Sequence, residues 1–460
     1  MTKRARTILF FICALLFLII APTIVLYSMG YRFDFDSKKI VATGAFYLKV
    51  WPKKAEIYLG SKQKKKTDFF FGSAYIDNLL PKKYEIEVRK KGFHLWRKTL
   101  EIEEGRVTEL KNIYLIPKDL SFVNAVNNID NFWLAPDGKS VILKEINENG
   151  WNLKIFKLED NLKIHLLAEK DFEAKEQIEL SNLEFSPDSS KILIEIKKEA
   201  EKENFIMKIE EVPSDLIPLD SLGKDIKKIS FHPREDDKIL FYDKNSLFET
   251  SFSTKTVREI LKDLITYETS EQGIYFLSED GHLFWFNFNE ERKEKLNSES
   301  FDIKKETNYQ INVIAENVFL LEGDTLYIFD KESERFEKIF YKIKSFEISP
   351  DNKKIFLAST HEIWVLFLEE IQDQPPKEKG EKLFLNRFSE EINKVFWYNS
   401  HYLIFNAGNA VKVTEIDNRD KINIVDLVDF PEPKISLNRV DKKLYVLSEA
   451  NLFVSELLLP

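Results

Sequence analysis

The sequence predicts an all-β protein that follows one N-terminal membrane-spanning helix. Three observations lead to this fold class. An uncharged run extends from Thr7 to Met29, strands of alternating polar and apolar residues occupy residues 43–117, and a hairpin signal recurs between residues 120 and 460. We therefore divide the chain into residues 1–30 (tail and helix), 31–42 (linker), 43–117 (small sandwich) and 118–460 (repeat region).

The apolar run is long enough to cross a bilayer. At about 1.5 Å per residue its 23 residues exceed the roughly 30 Å of a hydrocarbon core. A cleaved signal peptide has a shorter apolar region and a small-residue cleavage site, and no convincing site follows here. We therefore expect an uncleaved signal anchor. The alternative is a secreted protein that has lost residues 1–29.

The charged residues on either side of the helix bear on its orientation. Lys3, Arg4 and Arg6 precede the apolar run, whereas Arg32 and two further lysines follow it, so the positive-inside count is nearly balanced. The short basic tail has the form of an export signal. We expect a single-pass protein of the cell membrane, with a cytoplasmic tail and the bulk of the chain outside the cytoplasm.

The single cysteine limits the chemistry of the chain. Cys13 lies within the apolar run, so the rest of the chain cannot form a disulfide framework, a zinc–cysteine cluster or a cysteine nucleophile. We interpret Cys13 as a small apolar membrane residue, with palmitoylation as the alternative.

Residues 43–117 predict a small antiparallel sandwich. Strand-like runs are separated by proline and glycine. In one of them Tyr84, Ile86 and Val88 alternate with Glu85, Glu87 and Arg89, which indicates one face on a core and one in water. The strand-like runs are Phe46–Val50, Ala55–Leu59, Tyr84–Arg89, Thr99–Ile102 and Asn112–Leu115.

The spacing of particular residues in this segment resembles that of a PEGA domain. The matching positions are Gly44, Pro52, Ala55, Ile57, Tyr58, Gly60, Leu80, Pro81, Tyr84, Gly92, Phe93 and Trp96. The chain departs from the family pattern at two places. The proline-to-alanine element that names the family is here Pro52–Ala55 and lacks its glycine, and Lys83 replaces the glycine expected before Tyr84. The resemblance implies an extracytoplasmic spacer or binding module of surface and envelope proteins, without enzymatic activity.

Charge is unevenly distributed. Residues 38–118 carry 19 basic and 9 acidic side chains, whereas residues 119–460 carry 45 basic and 66 acidic ones. We place the cluster Lys62–Lys66 in a solvated loop; the alternative is contact with anionic lipid headgroups or acidic wall polymers. Aromatic interleaving and nucleic-acid motifs are absent from the sequence, so we expect no nucleic-acid partner.

A proline-marked hairpin recurs after residue 120. Its four copies are Leu134–Gly138, Phe185–Asp188, Phe231–Pro233 and Ile348–Asn352. Proline presets one turn angle, aspartate caps the turn, and glycine or asparagine accepts the left-handed position. These residues are therefore interpreted as turn-formers rather than ligands.

Weaker copies of the hairpin complete a regular repeat. They lie at Tyr267–Phe276, Val313–Leu320, Val395–Phe405 and Ile435–Leu447, which gives a period near 40–45 residues. Such a period with short strands is typical of a β-propeller. We expect eight blades, with seven as the alternative.

Ring closure is expected from the two ends of the repeat region. The last unit shows three obvious strands, and Leu120–Val126 is expected to supply the fourth, which would remove exposed edges. Gln372–Gly380 and Ala200–Asn204 are interpreted as polar loops. The hairpins resemble those of WD40-like and TolB-type propellers, a resemblance that implies the fold but not the function.

A search for reactive groups predicts no catalytic, cofactor-binding or metal-ligating residue. The six histidines show no helical metal-ligand spacing, and we assign them structural or surface roles. Ser278–Trp285 is only faintly similar to an aspartate box and is interpreted as an ordinary hairpin. No nucleophile elbow, phosphate loop or dinucleotide fingerprint is present. The histidines are His94, His165, His232, His282, His361 and His401.

Four tryptophans in or beside predicted strands admit two interpretations. In-blade packing is the favoured one, and binding of sugars or peptides at a propeller rim is the alternative. These residues are Trp133, Trp285, Trp364 and Trp397.

Together these features predict a membrane-anchored, non-catalytic protein of the bacterial cell envelope that presents a propeller to protein or cell-wall partners. The alternative is an extracytoplasmic propeller hydrolase or lyase acting on glycans. That enzyme would need carboxylates and arginines that converge at one end of the central channel.

Overall fold

The computed structural model describes residues 3–148, 150–172, 178–198, 201–209, 215–219, 222 and 226–458. Helix α1 (Lys3–Ser28) is followed almost entirely by strands. Within the described part of the chain, α1 is the one helix long and apolar enough to cross a membrane, with a mean hydropathy of 3.0 in its most apolar window. Length and composition of this kind are shared by membrane anchors and signal sequences.

A hairpin joins the helix to the small sandwich. Strands β1 (Tyr31–Asp34) and β2 (Lys39–Ala42) pair within the segment that we interpret as a linker. The backbone N–H and the hydroxyl of Thr43 both donate to the Gly30 carbonyl, at 2.9 and 2.7 Å. These bonds close the base of the hairpin, so the sandwich begins directly beside the end of α1.

The sandwich packs two sheets over one apolar core. One sheet has the strand order β6-β3-β9 and the other β5-β4-β7-β8, and buried side chains such as Phe46, Ile57 and Ile86 fill the space between them. The strands are β3 (Gly44–Trp51), β4 (Glu56–Leu59), β5 (Lys62–Lys66), β6 (Ser73–Leu79), β7 (Lys83–Arg89), β8 (Trp96–Glu101) and β9 (Val107–Tyr114).

Three sequence-based expectations for the sandwich are wrong. The pairing of β3 with β9 is parallel, so the sandwich is not wholly antiparallel. Lys62–Lys66 forms edge strand β5 rather than a loop, because its backbone pairs with β4. Glu87 is buried on the face expected to be in water, where Arg89 and Arg97 neutralise its carboxylate.

Residues 122–455 form a ring of antiparallel sheets with the architecture of a β-propeller. The described residues of this region form eight four-stranded sheets, seven of which are built from four consecutive strands. In the eighth, β10 pairs with β41, so the two ends of the region meet in one sheet as expected. One 3₁₀ turn, Glu169–Asp171, follows β14.

The ring strands have the following bounds. They are β10 (Phe122–Asn127), β11 (Ile129–Leu134), β12 (Ser140–Asn147), β13 (Gly150–Lys157), β14 (Leu162–Ala168), β15 (Ile178–Phe185), β16 (Lys191–Lys198), β17 (Glu201–Lys208), β18 (Leu216–Pro218), β19 (Lys228–Phe231), β20 (Lys238–Asp243), β21 (Ser246–Ser251), β22 (Val257–Leu261), β23 (Leu264–Thr269), β24 (Gly273–Ser278), β25 (Leu283–Asn287), β26 (Arg292–Lys295), β27 (Tyr309–Ile314), β28 (Asn317–Glu322), β29 (Thr325–Asp330), β30 (Arg335–Tyr341), β31 (Ser345–Ile348), β32 (Lys354–Ala358), β33 (Glu362–Phe367), β34 (Lys382–Arg387), β35 (Ile392–Asn399), β36 (Tyr402–Ala407), β37 (Ala410–Glu415), β38 (Ile424–Asp429), β39 (Lys434–Asn438), β40 (Lys443–Ser448) and β41 (Asn451–Ser455).

The recurring hairpin connects the first and second strands of its sheet. In the turn between β31 and β32, the Ser349 hydroxyl donates to Asp351 and accepts the Lys354 N–H at 3.0 Å. Ser186 makes the same bonds with Asp188 and Lys191 between β15 and β16. The motif is therefore a capped turn, as its residue types predict.

The two predicted polar loops have different outcomes. Gln372–Gly380 connects β33 and β34 as expected. Glu201–Asn204 instead lies in strand β17, where Lys202 and Glu203 pair with Lys197 and Ile196 of β16. Ala200 lies outside the described residues. The charged side chains fit a strand here because they stand at its solvent-exposed end.

Candidate functional site

The sandwich docks on one sector of the ring. Its edge strands β8 and β9 contact the loops that follow β33 and β37 and the first residue of β36. Because the strands of each sheet alternate in direction, turns between strands one and two and between strands three and four lie on the same face of the ring. The sandwich therefore covers part of that face, against the β31–β34 and β35–β38 sheets.

A buried ion pair lies at the centre of this junction. The Lys98 ammonium is 2.7 Å from Glu415 Oε1, and the two side chains are 0% and 3% exposed. Lys98 also donates to the carbonyls of Asp417 and Lys421, at 2.8 and 3.1 Å. All three ammonium protons thus have acceptors, which a buried lysine requires.

The Glu415 carboxylate is equally well satisfied. Its Oε2 accepts the Trp96 indole N–H at 2.9 Å, and its Oε1 accepts the backbone and side-chain N–H groups of Asn423 at 3.0 and 2.8 Å. A carboxylate with this many donors is held in one orientation. The junction is therefore a specific joint between the two units.

Further bonds surround the joint. Arg419 forms a fork with Asp417, the shortest contact being 2.6 Å, and donates to the Glu109 carbonyl of β9 at 2.7 Å. Burial alone would raise the pKa of Asp417, but the hydrogen bonds and charge of the Arg419 guanidinium hold that pKa below its ordinary value. The Thr99 N–H donates to Asp420 at 2.6 Å.

One glutamine side chain extends the edge of the sandwich sheet. Gln374 accepts the Glu109 N–H at 2.8 Å and donates to the Val107 carbonyl at 3.0 Å. Its amide thus occupies the position of a neighbouring strand on the open edge of β9. Covering an exposed edge in this way blocks pairing with other chains.

A cavity of about 780 Å³ lies between the sandwich and the ring. It is lined by polar and apolar groups, among them Lys111, Asp351, Lys354, His401 and Asp417. Several of its charged groups are paired, among them Lys111 with Asp373 at 3.1 Å and Lys354 with Asp351. The cavity is therefore polar but offers mainly groups that already hold partners.

Two ionisable rings of the cavity are kept neutral. Burial and the Lys354 ammonium lower the pKa of His401 to about 4. Burial raises the pKa of Tyr402 well above its ordinary value, and its oxygen accepts the Tyr114 N–H at 3.2 Å. Both groups are uncharged at neutral pH.

Two further ion pairs involve the first strands of ring sheets. Glu347 of β31 bonds Arg439 of the β39–β40 turn, and Lys228 of β19 lies 3.2 Å from Glu268 of β23. Burial raises the pKa of Glu347 and that of Glu184. The Glu347–Arg439 pair thus connects the sheet of β31 with the sheet of β39 and β40, which lie on either side of the β35–β38 sheet in chain order.

One histidine groups with two acids at metal-ligand distances within the described residues: His232, Glu235 and Glu249. His232 Nδ1 accepts the backbone N–H groups of Arg234 and Glu235, so its proton is on Nε2 and points to Glu249 at 3.8 Å. Lys238 lies 2.8 and 3.2 Å from the two glutamates. A lysine thus occupies the place that a cation would take, and we assign the group to a turn-holding network.

The histidines are separated in the sequence and have different partners. His232 occupies the serine position of its hairpin, as predicted, and its ring nitrogen replaces the serine oxygen. His282 contacts Asn297 at 3.3 Å, and His361 contacts the Glu390 carbonyl at 3.2 Å. His94 is partly buried and His165 is exposed.

The tryptophans pack within the blades. Trp397 is buried and donates to the Glu347 carbonyl at 2.9 Å. Trp364 donates to Glu362 at 2.9 Å and lies 5.0 Å from the Phe384 ring. Trp133 packs on a sheet core and Trp285 lies against Tyr275.

The structure also shows where the other residues singled out in the sequence lie. Ser278–Trp285 spans the β24–β25 turn, in which the Ser278 hydroxyl bonds Asp280. This is the ordinary hairpin that we predicted. Cys13 is exposed on α1, and Lys62–Lys66 is exposed along β5.

Sequence reasoning missed Lys98 and Glu415. Their signal was nevertheless present, because each stands on the apolar side of an alternating strand. Lys98 lies between Trp96 and Leu100, and Glu415 follows Val411 and Val413. A charged residue at such a position requires a partner of opposite charge.

Comparison with known proteins finds distant structural neighbours only. No protein-family model matches the chain, and no curated protein matches it. Some of its structural neighbours are WD40 or β-propeller domains. They include the C-terminal WD40 domain of Sif2 (14% identical, TM-score 0.48, covering 73% of this chain and 97% of that one).

Two further neighbours are similarly distant. The β-propeller domain of Myceliophteria thermophila Cps50 (Swd1) is 8% identical, with a TM-score of 0.40 and coverage of 74% of this chain and 99% of that one. Porphyromonas gingivalis dipeptidyl peptidase 4 is 12% identical, with a TM-score of 0.45 and coverage of 70% and 56%. These likenesses carry no argument about function.

Proposed function

We propose that the chain is a membrane-anchored, non-catalytic protein of the cell envelope that presents an eight-bladed propeller to protein or cell-wall partners. Helix α1 is its single membrane span, and the bulk of the chain lies outside the cytoplasm. The sandwich is a PEGA-like spacer between the helix and the propeller. The observation that carries the proposal is the Lys98–Glu415 joint, which attaches the ring to the sandwich at a defined angle.

The attachment is continuous from the helix to the ring. Thr43 bonds Gly30 at the end of α1, the sandwich follows, and the buried joint then holds the ring. Each step uses groups that are specifically paired rather than a flexible linker. Such a stalk suits a protein that holds a binding surface at a fixed position above a membrane.

The eight-blade assignment rests on sheet topology. Eight successive four-stranded sheets are present in the described residues, and β10 completes the last of them. Closure by pairing of the two ends removes open sheet edges and stabilises a ring of repeats.

Membrane topology is testable because the chain has a single cysteine. In a Cys13→Ser background, Lys3→Cys and Ser300→Cys place one thiol before the apolar run of the helix and one on the ring. We expect a membrane-impermeant maleimide to label position 300 in intact cells and position 3 only after lysis. Labelling of position 3 alone in intact cells would overturn the orientation.

The binding role is testable with the full chain in nanodiscs. We expect it to co-sediment with cell-wall fragments or to cross-link to an envelope protein, and to release no soluble glycan. The alternative glycan hydrolase or lyase predicts glycan release that Glu347→Gln abolishes, because the partly buried Glu347 carboxylate has a raised pKa and pairs with Arg439, the combination of acid and arginine that such an enzyme would need. Such release would replace the binding proposal.

A further inference from the structure

Three consecutive phenylalanines project from the sandwich. Phe69, Phe70 and Phe71 are 61%, 73% and 72% exposed in the connection between β5 and β6, which we call the phenylalanine loop. Aromatic side chains of this size are usually buried, and a cluster of exposed ones marks an interaction site.

The phenylalanine loop is held in one conformation. Asp68 accepts the N–H groups of Phe70 and Phe71 at 2.8 and 2.6 Å, and that of Ser73 at 2.7 Å. Hydrogen bonds to the carboxylate hold the pKa of Asp68 far below its ordinary value, and those from the Phe71 N–H and the Ser73 hydroxyl have the largest effect. Gly72 has a φ of +69°, and a Cβ there would lie 2.5 Å from the Val50 carbonyl oxygen. The three rings are thus presented by a built turn.

Basic side chains surround the phenylalanine loop. Every residue of β5, Lys62–Lys66, is exposed, and four of the five are lysines. The Lys54 ammonium lies 4.5 Å from the centre of the Phe69 ring. Exposed aromatic rings beside lysines are the combination found where proteins contact anionic bilayer surfaces.

Strand β6 connects the phenylalanine loop to the base of the membrane helix. Its first residue, Ser73, follows the loop, and Asn78 near its other end accepts a bond from Arg32. Arg32 also donates to the Tyr27 carbonyl of α1 at 2.7 Å. At about 3.3 Å per residue, the seven residues of β6 separate the loop from the helix base by roughly 20 Å.

The propeller is on the other side of the sandwich. β5 and β6 are the two free sheet edges, whereas the opposite edges β8 and β9 hold the ring. The free side therefore carries the aromatic rings, the lysines and the attachment to α1. Laid along a bilayer, it would direct the ring away from the surface.

We propose that the phenylalanine loop inserts into the interfacial region of an anionic bilayer while the β5 lysines contact lipid headgroups, so that β6 lies along the membrane surface. This rests on the membrane anchoring in the proposed function. A lipid surface accounts for both features, since the rings enter the acyl boundary and the lysines remain at the phosphates. An acidic wall polymer would match the lysines but leave the rings in water.

The test uses the full chain in liposomes, with one thiol carrying an environment-sensitive fluorophore. In the Cys13→Ser background, Phe70→Cys reports on the loop and Val257→Cys, exposed on β22, is the matched control on the ring. We expect position 70 to show a blue-shifted emission and quenching by shallow spin-labelled lipids in anionic liposomes. Position 257 should keep an aqueous spectrum.

A second variant tests the basic strand. Replacing the four β5 lysines with glutamine should reduce the blue shift at position 70 and remove its dependence on anionic lipid. Far-UV circular dichroism checks that the sandwich still folds, because these side chains are exposed and outside the core.

The outcomes separate the two proposals. If the chain floats with liposomes but position 70 keeps an aqueous spectrum, the anchor stands and the loop insertion is wrong. If the chain does not float at all, the anchoring itself fails. A spectral change at position 70 with an acidic wall polymer, and none with lipid, would assign the surface to that polymer and overturn the membrane contact.

Discussion

The Lys98 ammonium lies 2.7 Å from the Glu415 carboxylate, and solvent reaches neither side chain to a significant extent. The two residues belong to different units, the sandwich strand β8 and the ring strand β37. The pair is therefore the main fixed point between the part of the chain beside the helix and the ring.

Removal of one partner should weaken the protein strongly. Lys98→Met leaves Glu415 as an uncompensated buried carboxylate, and loss of one member of a buried pair costs about 3–5 kcal/mol. We expect this loss in denaturant unfolding, together with new proteolysis between residues 115 and 121. Arg106→Ala, which breaks the exposed pair with Glu103, should cost less than about 1 kcal/mol.

The double variant Lys98→Met with Glu415→Gln decides whether charge is the cause. Because it buries no unpaired charge, it should recover most of the lost stability. A double variant as unstable as Lys98→Met would show that packing of the lysine stem, rather than ion pairing, holds the joint.

Stability should fall in mildly acidic solution because of His401. Its folded pKa of about 4 lies below the ordinary value of 6.5, so the unfolded chain takes up the proton first as the pH falls. His401 costs no stability above pH 6.5. Between pH 6.5 and 4 it lowers the free energy of unfolding by about 1.4 kcal/mol per pH unit, and below pH 4 this loss stays constant.

Comparison with His401→Asn isolates this effect. Lys354 opposes the charge on the imidazole, whereas Asp351, Asp373 and Asp417 favour it. Urea unfolding between pH 7 and 4 gives the free energy of unfolding at each pH. Its slope against pH should be shallower for the variant, by the equivalent of about one proton taken up on unfolding. Parallel slopes would mean that the imidazole titrates normally in the folded protein.

The repeat was predictable because its signals are local. Pro136, Pro187, Pro233 and Pro350 each lie between the first and second strands of a sheet. A turn is encoded by adjacent residues, whose backbone angles and caps do not depend on the rest of the fold. The pairing of the two ends was also accessible, since the last unit lacked one strand.

The junction was not predictable in the same way. Glu415 is 319 residues after Trp96, and period-two patterns identify a buried face but not its partner. Glu87 is buried because Arg89 and Arg97 converge on it, an arrangement that depends on two neighbouring strands. Lys62–Lys66 lacks apolar residues, so its strand is specified by pairing with β4 alone.

Loss of a turn hydroxyl should destabilise the ring. Ser349→Ala removes the acceptor of the buried Lys354 N–H and one donor to Asp351, and an unsatisfied buried donor costs about 1–3 kcal/mol. Ser349→Thr should retain most of the stability because it keeps a hydroxyl. Thermal unfolding would measure both, with exposed Ser300→Ala as the neutral control. Equal melting temperatures for Ser349→Ala and the parent would show that the turn is held by its backbone alone.

Ring closure through β10 can be trapped covalently. Val123 and Val454 are partners across β10 and β41, as are their neighbours Phe122 and Ser455. In an antiparallel pair, adjacent partners alternate between hydrogen-bonded and closer non-hydrogen-bonded positions, so one of the two cysteine pairs should suit a disulfide.

In a Cys13→Ser background we expect rapid oxidation and a compact species on denaturing gels. Because the bond closes a loop of about 330 residues, it should add roughly 6 kcal/mol in the chain-entropy model. The mismatched pair Val123→Cys with Val257→Cys should stay reduced, and its oxidation at the same rate would contradict closure at this seam.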